Sequence, residues 1–178
     1  MEQTLCPVLQ ALHRGIQTEL QGWTFYRKAA ERSADPKGTQ TFRSLMSEEE
    51  EHLRLLKVQY GALVNEGRWL EMEQARELVP GREVEAIFPG DDETLAALLP
   101  ADPDDLKALA LALDFERKGY QTYRRLSQET GDPAGRALYE YLAAQEQRHY
   151  NIIQRAEEYL QTRGAWYFDE RELPMFEG

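Results

Sequence analysis

Cysteine is almost absent from this sequence, in which Cys6 is the one cysteine among 178 residues. No disulfide can form within the chain, and the Cys-x-x-Cys spacing typical of zinc and thiol redox sites does not occur. Because disulfides belong to oxidising compartments, a chain without them is expected in the reducing cytoplasm. Cys6 has no candidate partner near it in the sequence, so we assign it no role.

Long apolar runs and excess positive charge are also missing. No apolar stretch approaches the roughly 18 residues that a membrane-spanning helix needs, and the first residues, MEQTLCPVLQ, lack the pattern of a signal peptide. The formal net charge of −11 disfavours nucleic acids and anionic membranes as partners and attracts cations. With 42% hydrophobic and 30% charged residues, the chain has a globular composition. Its length suits a single domain over residues 1–178.

Four long segments carry apolar residues at helical spacing, which predicts an all-α protein. The predicted helices span residues 5–34, 36–65, 103–130 and 133–163. Three Asp-Pro pairs support these bounds, because an acidic N-cap followed by proline is a common helix start. These pairs are Asp35-Pro36, Asp102-Pro103 and Asp132-Pro133. Very short turns join the first two helices and the last two, so each pair is predicted to be an antiparallel hairpin.

The segment between the two hairpins, residues 66–101, is rich in glycine and proline. A structureless loop of this length is unusual inside a compact domain. A helix of about 30 residues is about 45 Å long, so this segment is predicted to be a crossover that runs the length of a four-helix bundle. Residues 164–178 form a tail that we expect to cover the bundle or a neighbouring subunit. Its aromatic residues are Trp166, Tyr167, Phe168 and Phe176.

The two predicted hairpins are copies of each other. A shift of 97 residues, which sets Glu19 against Glu116, aligns 19–56 with 116–153 without a gap. The identical pairs are Glu19/Glu116, Gly22/Gly119, Tyr26/Tyr123, Arg27/Arg124, Asp35/Asp132, Pro36/Pro133, Gly38/Gly135, Leu45/Leu142, Glu49/Glu146 and His52/His149. This self-similarity predicts a duplicated hairpin folded back on its twin with pseudo-two-fold symmetry.

The run SEEEEH at 47–52 places four glutamates before a histidine, and its second copy at 144–149 is AQEQRH. Both copies keep the glutamate that lies three residues before the histidine. We therefore predict that Glu49 and Glu146 serve a site and that the other glutamates of the first run lie on a solvated surface. Those three are Glu48, Glu50 and Glu51, whose counterparts are Gln145, Gln147 and Arg148.

Each long helix is predicted to point a carboxylate into its apolar stripe near the middle of the helix. Four bare carboxylates in a core would cost many kcal/mol and would repel one another. Two divalent ions nearly neutralise them, and Glu-x-x-His projects both side chains from one helical face. The residues in question are Glu19, Glu49, His52, Glu116, Glu146 and His149.

This arrangement matches the dinuclear carboxylate pattern of four-helix bundles: one glutamate from each of two helices and Glu-x-x-His from each of the other two. Mixed oxygen and imidazole ligands suit iron or manganese better than metals that prefer soft ligands. The sequence therefore predicts a site for two metal ions. The alternative is a bundle that descends from a metal protein and has lost its metal.

Both hairpins resemble the rubrerythrin-like branch of the ferritin-like superfamily. The resemblance lies in the stretches ELQGWTFYRKAAERSADP…FRSLMSEEEEH and ERKGYQTYRRLSQETGDP…LYEYLAAQEQRH. It implies a ferritin-like bundle with a non-haem di-iron centre that reacts with dioxygen or peroxide. It also implies that the six residues named above bind two iron ions, or manganese or a mixed pair. In this assignment Glu49 and Glu146 bridge the two metals, and Glu19 and Glu116 are terminal ligands.

The chain departs from rubrerythrins in two respects. A rubredoxin domain with its four-cysteine iron site is not possible with one cysteine. Rubrerythrins also carry an additional metal-binding glutamate one turn after the first glutamate of the third helix, and Gly119 occupies that position here. The six-ligand set therefore looks more like that of bacterioferritin. Any electron donor must be a separate protein or small molecule.

Matched glycines and tyrosines surround the predicted site. Gly22 and Gly119 lie one turn after the first glutamate of each copy, where they either leave space for a small oxidant or allow close helix packing. Tyr26 and Tyr123 lie a further turn along the same face. We predict that these tyrosines hydrogen-bond the ligand carboxylates and assist the reaction; the alternative is a purely structural place in the core.

Three functions follow from these patterns. The first is a redox enzyme that reduces hydrogen peroxide or dioxygen with electrons from an external donor. The second is an iron-storage ferritin with ferroxidase activity, and the third is a metal-free bundle that serves as an interaction module. We expect a homodimer or larger homo-oligomer, with neither nucleic acid nor membrane as a partner.

Overall fold

The computed structural model describes residues 2–79, 104–164 and 166, with side chains from residue 7 onward. This part of the chain contains five helices and no strand. They are α1 (Glu2–Arg32), α2 (Pro36–Glu66), α3 (Met72–Glu77), α4 (Asp105–Glu129) and α5 (Pro133–Arg163). Helix α1 packs along α2, α4 packs along α5, and α1 meets α4. The predicted all-helical bundle is therefore confirmed.

Two of the three predicted helix starts have the expected capping geometry. Asp35 accepts a hydrogen bond from the backbone N of Lys37 at 2.8 Å, and Asp132 accepts one from the backbone N of Ala134 at 2.9 Å. Each acid thus satisfies an amide that the first turn of the helix leaves without a partner.

The third predicted start is wrong. Helix α4 begins at Asp105, with Asp104 as its N-cap, rather than at Pro103 after Asp102. Asp104 has an extended backbone and accepts a hydrogen bond from the backbone N of Lys107 at 3.1 Å. Several acids precede this helix, and the one in capping geometry sets its start; residues 102 and 103 lie outside the described part.

The internal repeat continues past the aligned hairpins to the ends of α2 and α5. Gly67 and Gly164 both end their helices with positive φ, at 69° and 64°, a backbone conformation that glycine adopts at low cost. Two residues further on, Trp69 and Trp166 also correspond at the same offset. Each duplicated hairpin therefore ends in a left-handed glycine followed by a tryptophan.

Each tryptophan packs on the opposite hairpin. The ring of Trp69, after α2, meets Tyr139 of α5 with centroids 5.9 Å apart. The ring of Trp166, after α5, meets Phe42 of α2 at 5.4 Å, and its Nε1 donates to Asp105 at 2.8 Å. The first aromatic residue of the tail thus covers one end of the bundle. Tyr167, Phe168 and Phe176 lie outside the described residues.

Close approach of these rings requires glycine in the first turn of each receiving helix. A Cβ on Gly135 would lie 2.7 Å from Trp69 Cε2, and a Cβ on Gly38 would lie 2.6 Å from Trp166 Cε2. Such distances are too short for carbon atoms in contact. The matched glycines at 38 and 135 therefore make room for the two tryptophans.

The described part of the predicted crossover contains α3 and is anchored to the bundle by Gln59. Its buried side-chain amide donates to Leu70 O at 2.8 Å and accepts from Leu70 N at 3.0 Å. Residues 80–101 of the crossover lie outside the described part. The anchored stretch places α3 beside α2 and α5.

Two hydrophobic clusters form the core. One lies toward the N-terminal half of α1 and includes Leu12, Ile16 and Leu56. The other lies toward the C-terminal half of α1 and includes Phe25 and Phe42. The polar residues that the sequence places at mid-helix lie between these clusters, so the fold carries a buried polar layer across its middle.

Candidate metal centre

The buried polar layer contains all six side chains that the sequence singles out. Glu19, Glu49, His52, Glu116, Glu146 and His149 are each at most 4% exposed. Helix α1 and helix α4 supply one glutamate each, and α2 and α5 supply one glutamate and one histidine each. Helical spacing of three residues brings each glutamate and its histidine to the same face.

The six side chains form two groups that share two members. One group is Glu19, Glu49, His52 and Glu146, and the other is Glu49, Glu116, Glu146 and His149. Within each group the candidate donor atoms all lie within 4.8 Å of one another. Glu49 and Glu146 belong to both groups, which is the arrangement expected of residues that lie between two ions.

Individual contacts show how closely the donor atoms approach. His52 Nδ1 lies 3.2 Å from Glu19 Oε2 and 3.6 Å from Glu49 Oε2. His149 Nδ1 lies 3.3 Å from Glu49 Oε1 and 3.4 Å from Glu116 Oε2. The two imidazole rings are stacked with centroids 5.6 Å apart. Both histidines therefore face the carboxylates through Nδ1.

These contacts fit a pair of metal ions. Donor atoms bound to one first-row metal ion at about 2.1 Å lie about 3 to 4.2 Å apart, depending on the coordination angle. Moreover, three buried atoms of the cluster have no hydrogen-bond partner: Glu116 Oε2, Glu146 Oε1 and His149 Nδ1. Buried polar atoms without partners are costly, and bound cations would satisfy all three.

Burial also changes the proton affinity of the carboxylates. Burial and the nearby charge of Glu49 raise the pKa of Glu19 to about 8. Burial raises the pKa of Glu116, and burial together with the other carboxylates raises the pKa of Glu146. Glu49 differs, because its hydrogen bonds outweigh burial and lower its pKa. Without cations, burial therefore favours the protonated form of most of these carboxyl groups.

The two histidines respond to the same negative charge. Burial alone would lower the pKa of His52, but hydrogen bonds to Glu19 and Glu49 outweigh burial and raise it to about 9. Burial would also lower the pKa of His149, and the charge of Glu116 is the largest of the effects that raise it. Protonated imidazoles thus offset part of the negative charge when no cation is bound.

Each of the two tyrosines donates a hydrogen bond across the bundle. Tyr26 of α1 donates to Glu116 Oε1, and Tyr123 of α4 donates to Glu19 Oε1. Tyr123 also contacts the carbonyl oxygen of Gly15 at 3.3 Å. Burial and the surrounding carboxylates raise both tyrosine pKa values well above the usual range, so the hydroxyls remain donors.

The matched glycines lie against carboxylates of the neighbouring helix. A Cβ on Gly119 would lie 2.8 Å from Glu146 Cδ and still closer to its Oε2. A Cβ on Gly22 would lie 3.2 Å from Glu49 Cδ. The space that these glycines provide is therefore filled by the two shared glutamates. Neither an oxidant cavity nor helix packing alone describes this role.

Glu48 shows where the sequence interpretation was wrong. Its side chain is 12% exposed, and its Oε2 lies 3.0 Å from His149 Nε2 and 2.5 Å from Arg148 Nη1. Burial alone would raise the pKa of Glu48, but contacts with His149 and Arg148 lower it. Glu48 thus supports a histidine of the cluster. The repeat could not reveal this, because the corresponding residue is Gln145.

The other glutamates of the run are placed differently. In the described residues, neither donor group includes Glu48, Glu50 or Glu51. Glu50 forms an ion pair with Arg54 one turn along α2.

The described part of the chain contains no helix long and apolar enough to cross a membrane.

Comparison with known proteins places this arrangement in a family. None of the curated proteins matches the chain. A hypothetical protein from Pyrococcus furiosus has a similar structure, with a TM-score of 0.62 and 20% identity over 86% of this chain and 89% of that chain. At this identity the likeness shows the fold alone. A family model described as Rubrerythrin matches residues 10–157, which include all six clustered side chains, and the chain therefore belongs to the rubrerythrin family.

Proposed function

We propose that this protein is a non-haem di-iron redox enzyme that reduces hydrogen peroxide or dioxygen with electrons from an external donor. The observation that carries the proposal is the pair of buried donor groups that share Glu49 and Glu146. Two carboxylates common to both groups would hold a pair of ions close together, and such a pair could supply the two electrons that reduction of a small oxidant requires.

Membership of the two groups supports these proposed ligand roles. Glu49 and Glu146 would be shared by the two ions, Glu19 and His52 would hold one ion, and the remaining two residues would hold the other. Glu116 and His149 are those two. When bound, the iron pair supplies the electrons and the Lewis acidity for the reaction. Manganese or a mixed pair fits the same donor set of oxygen and imidazole nitrogen.

The surrounding residues hold and insulate this centre. The two hydrophobic clusters exclude water from both sides of the polar layer. Tyr26 and Tyr123 hold the terminal carboxylates through their hydroxyl protons. We also propose that these hydroxyls assist the reaction as hydrogen-bond donors that hold the terminal carboxylates in place, since their raised pKa values keep them protonated.

The electron donor is proposed to be a separate protein or small molecule, because one cysteine cannot build a rubredoxin-type iron site. We further propose that the chain functions in the cytoplasm as a homodimer or larger homo-oligomer. The excess of acidic residues, with a net charge of −11, suits a soluble partner and disfavours nucleic acid.

Iron storage with ferroxidase activity is the second candidate, and Gly119 favours it. Glycine offers no donor atom, and Glu146 fills the space beside it, so the additional glutamate of rubrerythrins has no counterpart here and the proposed ligand set stays at six. Storage predicts a large assembly and many irons per chain. A small oligomer with two irons per chain would exclude it.

Anaerobic loading followed by rapid mixing tests the redox proposal. The full-length chain is loaded with two equivalents of Fe(II) and mixed with hydrogen peroxide or with dioxygen, and iron oxidation is followed by absorbance. We expect oxidation within seconds and repeated turnover when a reductant is present. Glu50→Gln serves as the matched control and should react like wild type. A fully loaded protein that reacts with neither oxidant would exclude the proposal.

A further inference from the structure

The duplicated hairpins differ immediately outside the six-residue cluster. Glu48 of α2 corresponds to Gln145 of α5, and Arg148 of α5 corresponds to Glu51 of α2. The two halves of the centre therefore supply the same donors, two carboxylates and one imidazole each, but have different neighbours. In one half, Glu48 and Arg148 form an ion pair next to His149. At the matching positions, the other half has the amide Gln145 and the acid Glu51.

His149 is held at both of its ring nitrogens. Nδ1 faces Glu49 and Glu116 at 3.3 and 3.4 Å, and Nε2 lies 3.0 Å from Glu48 Oε2. If Nδ1 were to bind a cation, it would lose its proton, and Nε2 would keep the proton that it donates to Glu48. A carboxylate behind an imidazole also increases the electron density at the ligating nitrogen.

Arg148 holds Glu48 in this position. Its Nη1 lies 2.5 Å from the same Oε2 that His149 contacts. The guanidinium adds a charge-assisted contact to the carboxylate oxygen that faces the imidazole. A single oxygen of Glu48 thus contacts both the cation of Arg148 and the ring of His149.

His52 has a different environment. Its Nδ1 faces Glu19 and Glu49, and its ring lies edge-on to Tyr141 at 6.1 Å and 89°. The residue at the position equivalent to Glu48 is Gln145, a neutral amide. An amide carries no charge, so Gln145 offers His52 no counterpart of the contact between Glu48 and His149.

We propose that Glu48 is a positioning residue that makes the two metal positions unequal, so that the position of Glu116 and His149 fills first and holds its ion more tightly than the position of Glu19 and His52. This inference rests on the proposed dinuclear centre. It predicts that one chain binds two identical ions with different affinities, even though the six ligands form a symmetric set.

Anaerobic titration of the metal-free, full-length protein with Co(II), followed by visible absorption and calorimetry, tests the inference. Wild type is expected to show two steps whose affinities differ by about tenfold or more, since loss of such an outer-sphere partner typically changes affinity about 10- to 100-fold. Glu48→Gln should weaken the tighter step by this factor and merge the two steps. Glu50→Gln, which alters a carboxylate paired with Arg54, should leave both steps unchanged.

The reciprocal variant separates positioning from a structural role. Gln145→Glu places a carboxylate at the matching position on the other half and should tighten the weaker step. Far-UV circular dichroism and thermal unfolding check that each variant is folded, and if Glu48→Gln does not fold, Gln145→Glu decides the question. Two equal steps in wild type, or two unequal steps that neither variant changes, would overturn the inference while leaving the dinuclear centre intact. Absence of metal binding would overturn both.

Discussion

The hydroxyl of Tyr26 on α1 donates a hydrogen bond to Glu116 on α4, so each end of this contact belongs to a different hairpin. The repeat contains an equivalent contact, in which Tyr123 on α4 donates to Glu19 on α1. The duplicated hairpins are therefore connected through the polar layer by two equivalent tyrosine–carboxylate contacts, in addition to their apolar packing.

Removal of the tyrosine hydroxyl should weaken the bundle. In Tyr26→Phe, Glu116 loses a buried hydrogen-bond donor, which we expect to lower the free energy of unfolding of the metal-free protein by about 1–3 kcal/mol. Urea unfolding of Tyr26→Phe, Glu116→Gln and the double variant measures the energy specific to the pair. Strictly additive effects would show that the contact contributes nothing of its own.

A methyl group at Gly119 should disturb the metal centre. In Gly119→Ala the new Cβ would lie 2.8 Å from Glu146 Cδ, so the shared carboxylate must move. We expect metal affinity, measured by titration, to fall by about tenfold or more, because in the proposed centre Glu146 would serve both ions. Gly22→Ala, at 3.2 Å from Glu49 Cδ, should have a smaller effect.

Gly61→Ala is the matched control for this experiment. Gly61 lies within α2, and nothing lies within 4 Å of a Cβ added there. Because alanine is the better helix former, this variant should gain up to about 1 kcal/mol of stability and bind metal normally. Equal metal affinities for the variants at 61 and 119 would contradict the assigned role of Gly119.

The tryptophan packing at the bundle ends should be sensitive to small changes. In Gly135→Ala the added methyl meets Trp69 Cε2 at 2.7 Å, and such overpacking typically costs about 1–3 kcal/mol. Gly131→Ala, with nothing within 4 Å of its new Cβ, should lie close to wild type. Thermal unfolding measures the stability of both variants. Equal stability would show that the packing of Trp69 does not require glycine at position 135.

Stability of the metal-free protein should fall as pH rises from about 5 to 9. The folded chain keeps a proton on Glu19 between the ordinary carboxyl pKa of 4.5 and its raised value of about 8. It also keeps one on His52 between 6.5 and about 9. The unfolded chain releases these protons at lower pH, so rising pH favours unfolding across this window.

Metal binding should have the opposite pH dependence. The same protons must leave before the groups can bind a cation, so affinity is expected to increase as pH rises through this range. Melting temperatures at several pH values, with and without Zn(II), measure both trends. Glu19→Gln is the control, since it removes one titrating group and should flatten the curve for the metal-free protein. A melting temperature that rises with pH in the metal-free protein would contradict this assignment of protons.

Periodicity and the repeat were sufficient to predict the four long helices and the convergence of the six polar side chains. Helical spacing fixes which residues share a face, and a duplicated pattern shows which of them both halves retain. Glu49 and Glu146 could be found in this way because each occupies a gap in an apolar stripe. The N-cap of α4 could not be found in this way, because the proline after Asp102 favoured that residue on sequence alone, whereas Asp104 is the acid in capping geometry.

Features that depend on contacts between distant segments were not predicted. The repeat identifies Gly38 and Gly135 as a matched pair. It does not show why glycine is needed there, because the rings that pack on them, Trp166 and Trp69, belong to the opposite hairpin. The role of Glu48 was not predicted either, although here the cause is a difference between the two copies. It differs between the two copies, so a comparison that keeps shared residues discards it, although its carboxylate contacts His149.

Metal content after reconstitution tests the six-residue centre most directly. Wild type, Glu49→Gln and Glu50→Gln are each incubated anaerobically with excess Fe(II), freed of loosely bound ions and analysed for iron per chain. We expect two irons per chain for wild type and Glu50→Gln, and fewer than one for Glu49→Gln, because Glu49 belongs to both donor groups. Two irons retained by Glu49→Gln, or none bound by wild type, would contradict the dinuclear centre.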